Sequence, residues 1–103
     1  MILKDRYKDQ LMAILEQLTT PCQVLAYGSR VNGDASPSSD LDLVIKTADL
    51  SPFPITELNQ TIHRLKMSNI PIVVELRDWS YLPESFHKQI MLKNEVIYDT
   101  ISK

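Results

Sequence analysis

Asp40-Leu41-Asp42-Leu43-Val44-Ile45 is the segment of the chain whose residue types and spacing most clearly suggest chemistry. On a strand, alternate side chains share a face, so Asp40 and Asp42 point one way while Leu41, Leu43 and Ile45 point into a core. Two carboxylates spaced about 7 Å apart along one strand face repel unless something positive lies near them. A divalent cation relieves that repulsion, and carboxylate oxygens are the hard ligands that Mg²⁺ or Mn²⁺ accepts while keeping positions for water and phosphate. Taken alone, Asp-x-Asp is more often the solvated side of an edge strand. Its neighbourhood changes that balance.

Twelve residues before Asp40, an apolar run ends in Gly28-Ser29-Arg30-Val31-Asn32-Gly33. The chain has only two glycines, and both lie in this segment. Glycine at a strand-to-turn junction permits positive φ and close backbone approach, and the exposed amides beyond it form an anion cradle. Ser29 adds a hydroxyl, and Arg30 offers a fork matched to phosphate; a simple turn and a surface cation are the plain alternatives. Holding two metals for in-line phosphoryl transfer calls for a third carboxylate. Glu75 interrupts the apolar stretch Pro71–Leu76, where an ionised group is costly without a partner, and is favoured over Asp78. Asp78 lies at the end of that stretch and could cap the next turn of the chain.

These residues need a scaffold. Leu3, Tyr7, Leu11, Leu15 and Leu18 recur at helical spacing and predict a helix over 3–18, stopped by Thr19-Thr20-Pro21. Strands are expected at Cys22 to Tyr27, Leu41 to Ile45 and Ile70 to Leu76, with a last short one at Val96-Ile97-Tyr98. Helices are expected over 55–67, with Ile55, Leu58, Ile62 and Leu65 on one stripe, and over 83–93, led by Pro83. The order α-β-loop-β-α-β-α-β predicts an α/β protein, a small mixed sheet with helices packed on it. Leu82, Phe86 and Ile90 on the last helix could serve a homo-oligomer, a partner or the core, with the core as default.

Bulk properties narrow the class. With 103 residues, one domain spanning 1–103 is expected. The formal charge of −2 and pI near 5.6 argue against a protein that coats polynucleotide, though a metal can supply local charge for one nucleotide. No apolar run is long enough for a membrane span, and the charged start of the chain does not suit a signal peptide. Cys22 is the sole cysteine, which fits a cytoplasmic setting and a small buried strand residue. His63 and His87 are expected at the surface. Tyr27 and Trp79 are expected in the core, although both could flank the cleft.

The stretch from Gly28 to Leu43 resembles the signature G-S-R-x-x-G-x-A-x-x-x-S-D-x-D-L of nucleotidyltransferases related to DNA polymerase beta. The length and layout are similar to its minimal, MNT-type members, and Val74-Glu75-Leu76-Arg77-Asp78-Trp79 is similar to their third-carboxylate strand, often V-D-L-x-D-W. The resemblance implies a polymerase beta palm-like fold in which Gly28 and Ser29, with Arg30 nearby, hold the triphosphate. It implies that Asp40, Asp42 and Glu75 are the catalytic metal ligands, and that a hydroxyl attacks the α-phosphorus of ATP. It further implies AMP transfer to a hydroxyl on a HEPN-type helical partner encoded alongside, in an antitoxin and toxin pair. Glu75 departs from the usual Asp, and one extra methylene shifts the carboxylate by about 1 Å, which matters where octahedral geometry is strict. A module that neutralises its partner by direct binding is therefore the competing expectation.

Overall fold

The computed structural model describes residues 1–102. Helix α1 spans Asp5–Leu15 and strand β1 Cys22–Tyr27; a short helix α2, Ser29–Asn32, comes next without a connecting loop. Strand β2 is Leu41–Thr47, helix α3 Ile55–Met67 and strand β3 Val74–Asp78. A 3₁₀ turn, Trp79–Tyr81, leads to helix α4, Glu84–Leu92, and strand β4, Glu95–Asp99. The strands form one sheet in the order β3-β2-β1-β4, with β2 and β3 parallel and the other pairs antiparallel. The mixed α/β sheet expected from the pattern is the observed one.

The two sheet faces are finished differently. Val24, Ala26, Leu41, Leu43, Ile45 and Leu76 join Leu11, Leu15, Leu58 and Leu65 of α1 and α3 in the main core. Strand alternation then turns Leu25, Tyr27 and Val44 to the other face, where Trp79 and Ile90 of α4 cover them in a smaller cluster. Beyond that cluster, the same face carries Asp42, Glu75 and Arg77, all half-exposed. Periodicity alone did not show that Val44, on the face of the aspartates, would be fully buried.

Several boundaries moved. The expected helix over 3–18 is shorter at both ends, yet Leu3 and Leu18 still pack in the core. The expected strand at Ile70 to Leu76 pairs only from Val74 onward and runs on to Asp78. Its partner β2 begins opposite Val74 at Leu41, and Pro71 has no N–H to give a ladder. The last helix buries Ile90 completely but leaves Phe86 exposed, so only part of its apolar stripe belongs to the core.

Candidate functional site

Sheet register assembles the site. Tyr27 of β1 lies opposite Asp42 of β2, and Asp42 lies opposite Glu75 of β3, so three side chains form one row across the sheet. Leu25, Val44 and Arg77 make the next row. Glu75 and Arg77, two apart on a strand, share a face. Asp78 falls on the opposite face, where its carboxylate accepts from the amides of Phe53 and Ser80 and the Ser80 hydroxyl at 2.8, 2.9 and 2.8 Å. It is a buried cap. Glu75 is the carboxylate that adjoins Asp42.

Gly28 ends β1 against this row. Its φ of 79° and ψ of −157° lie where L side chains are strained, and a Cβ built there would sit 2.6 Å from Asp42 Oδ2. The backbone at Gly28 thus approaches the Asp42 carboxylate as only glycine allows. In α2, the amides of Val31 and Asn32 bond the Gly28 carbonyl. Those of Ser29 and Arg30, at the first turn, have no acceptor within their own helix. Ser29 is half-buried beside this junction.

Arg30 corrects a sequence expectation. Its side chain is 5% exposed, and its guanidinium donates to four backbone carbonyls: Ser39 at 2.9 Å, Ile2 at 2.6 Å, Pro37 at 3.1 Å and Ser36 at 3.4 Å. The Ile2 amide returns a bond to the Arg30 carbonyl at 2.9 Å. The fork expected to meet phosphate instead ties the leading segment and the loop before β2 to α2. A buried guanidinium is tolerable because those carbonyls satisfy it.

Arg77 is the site residue that the sequence pattern did not reveal, and Tyr27, expected in the core with the cleft as its alternative, meets it there. Arg77 Nη2 meets Glu75 Oε2 at 2.5 Å, while Nη1 lies 3.1 Å from the Tyr27 hydroxyl and 3.4 Å from Asp42 Oδ1. Burial raises the Asp42 carboxyl above its ordinary range; Arg77 opposes that rise, and Glu75 and Asp40 add to it. Burial likewise raises the Tyr27 phenol, against the pull of Arg77. The signal was available in two places: Arg77 sits two residues past Glu75, and Tyr27 immediately precedes Gly28. Neither position identifies the partner across the sheet.

Among the described residues, no three His, Cys, Asp or Glu side chains already converge as a metal-holding group. Asp42 and Glu75 adjoin in register, Arg77 bridges them, and Asp40 stands exposed just before β2. The donor set is nevertheless all hard oxygen, the ligand chemistry that a divalent cation such as Mg²⁺ takes. The residues present fit such an ion.

His87 is a further correction. It is half-buried, with its ring stacked parallel on Trp79 at a centroid distance of 3.8 Å, and Nε2 donates to the Trp79 carbonyl at 2.7 Å. The Lys46 ammonium lies 4.3 Å from the centre of the same indole. His63 is exposed on α3, at the surface as expected. Cys22 is fully buried, and burial pushes its thiol up to about 11, so it is an inert strand residue.

A glycine-ended strand, a short helix and a carboxylate row on one face of a mixed sheet fit a nucleotidyltransferase-type fold. The model of the family "Polymerase beta, Nucleotidyltransferase" matches residues 9–103, and the chain belongs to that family. A relative in Haemophilus influenzae, named "Probable protein adenylyltransferase MntA", is 36% identical over 77 residues. That match covers 75% of this chain and 66% of the relative, just under two thirds of its length. A solved structure titled "Crystal structure of the toxin-antitoxin with AMP-PNP" superposes with a TM-score of 0.71 at 14% identity. The match covers 92% of this chain and 75% of that one, and shows the same fold. No helix among the described residues is long and apolar enough to cross a membrane.

Proposed function

We propose that the chain is a metal-dependent nucleotidyltransferase that transfers AMP from ATP to a hydroxyl on a partner protein, breaking the α–β phosphoanhydride bond so that pyrophosphate leaves and the hydroxyl proton is released. The single observation that carries this reading is the register of Asp42 beside Glu75, with Gly28 closing on the Asp42 carboxylate. Asp40, Asp42 and Glu75 would hold Mg²⁺ or Mn²⁺, which would supply Lewis-acid activation of the phosphate. Gly28 lets the end of β1 close on the Asp42 carboxylate, and the first-turn amides and hydroxyl of Ser29 would orient the oxygens of a triphosphate. Arg30 acts indirectly, by fixing α2 and the loop leading to Asp40.

The names of the relative and of the structural neighbour support the choice of AMP and of a toxin as the acceptor. We assign the acceptor to a HEPN-type helical protein encoded beside this chain, with this chain as the antitoxin in the cytoplasm. The test uses the chain, ATP, Mg²⁺ or Mn²⁺ and that neighbouring protein, with intact-mass measurement of both. The expected result is a gain of one AMP or more on the partner with wild type and none with Asp42→Ala. Equal inhibition of the partner by wild type and Asp42→Ala, without any mass change, would mean that the chain neutralises by direct binding. The Arg77 bridge is the observation that favours this second reading, since it already balances the two carboxylates.

A further inference from the structure

We infer that Arg77 is the site's resident counter-ion, bridging Asp42 and Glu75 in the metal-free protein and giving way when a divalent cation binds. This rests on the reading of Asp42 and Glu75 as cation ligands and adds how their charge is managed between turnovers. Three observations carry it. The carboxylates are neighbours in register on adjacent strands, so their backbone positions hold the two charges close together. The guanidinium spans both, with one terminal nitrogen on Glu75 and the other within reach of Asp42. Its side chain is 38% exposed, so it can swing outward at little cost, unlike the enclosed guanidinium of Arg30.

The Tyr27 hydroxyl completes the device. It bonds the same Nη1 that faces Asp42 and is itself held in a buried ring, so it is a fixed, neutral anchor. Arg77 is thus a positioning residue. It holds two adjacent carboxylates in place without metal, and metal binding must overcome its hold. The length of Glu75 serves the same arrangement, because its extra methylene gives the carboxylate the reach to meet Arg77.

The experiment measures Mn²⁺ affinity without nucleotide, by electron paramagnetic resonance of the free ion, for wild type, Arg77→Gln, Arg77→Lys and Asp42→Asn. The thermal midpoint of each metal-free protein is recorded beside it. Arg77→Gln is expected to bind Mn²⁺ about tenfold more tightly than wild type, the size of one displaced charge-assisted bond, while its metal-free midpoint falls. Arg77→Lys retains the charge without the fork, so it should fold if Arg77→Gln does not, with an affinity between the two. Equal or weaker Mn²⁺ binding by both Arg77 variants, with binding lost in Asp42→Asn, overturns the counter-ion role while the metal site stands. If neither wild type nor any variant binds Mn²⁺, the metal reading fails and this inference fails with it.

Discussion

Two arginines in this chain carry the same charge and meet opposite surroundings. Arg30 is enclosed, and its partners are backbone carbonyls contributed by Ile2, Ser36, Pro37 and Ser39. Arg77 is half-exposed, and its partners are two carboxylates and a phenol. Backbone carbonyls cannot be protonated, and other cations compete poorly for an enclosed set already bonded to a guanidinium. Carboxylates on an open sheet face can take another cation. The first arginine therefore makes architecture, and the second marks where chemistry is exchangeable. Identity of residue type decided neither role; the acceptors did.

The contrast is broken most sharply at the carboxylates. Asp42→Asn is expected to lower nucleotide transfer by at least about a hundredfold while the protein stays folded. Its metal-free thermal midpoint should hold or rise. The sign comes from linkage: a carboxyl whose folded value is raised keeps its proton longer than in the unfolded chain, so ionising it costs stability as pH rises through that range. A large fall in the midpoint would show that Asp42 is structural instead.

Arg30→Met should give the opposite pattern. Removing the donor from four part-buried carbonyls is expected to cost roughly 1–3 kcal/mol by urea unfolding. Transfer, measured well below the unfolding midpoint, should fall less than in Asp42→Asn. Unchanged stability would remove the architectural role.

The two glycines sharpen the same division. Gly28→Ala places a Cβ against Asp42 Oδ2 in a strained backbone region, and about 1–3 kcal/mol of lost stability together with impaired transfer is expected. Gly33→Ala has positive φ but open space around the new methyl, so about 1 kcal/mol and little change in transfer is expected. Equal transfer by the two variants would show that Gly28 serves only the turn.

The smallest effect concerns Glu57, a carboxylate settled by fixed donors. Burial alone would raise its carboxyl, but the Thr19 hydroxyl at 2.6 Å and the Thr19 and Thr20 amides at 3.0 and 3.1 Å outweigh that and hold it below the ordinary value. A depressed folded value means the stabilisation is complete above the unfolded value, near pH ~4.3, and fades as pH falls through the folded one. Glu57→Gln should therefore flatten the acid side of the stability curve, read by unfolding from about pH 6 down to about pH 3. An unchanged acid limb would show that the Thr19–Thr20 clasp holds no charge.

Much of this molecule was legible in one dimension. Alternation set Leu41, Leu43 and Ile45 in the core, helical spacing located α3 at residues 55–67, and the sparse glycines marked a backbone demand at Gly28. Asp40 and Asp42 declared themselves as a pair through their spacing and neighbours, although β2 begins only at Leu41 and leaves Asp40 just before it. Such features are local, because they depend on side-chain period and on the φ that each residue tolerates.

Tertiary structure decided the partners. The parallel register of β2 with β3 put Glu75 beside Asp42 and turned Asp78 away, and it brought Arg77 to a carboxylate 35 residues distant in the chain. Folding also enclosed Arg30 among carbonyls that its sequence neighbourhood did not identify as acceptors. Register and burial belong to pairs of segments rather than to either segment. A side chain's type therefore limited what it could do, and the groups that the fold brought to it determined which of those things it does.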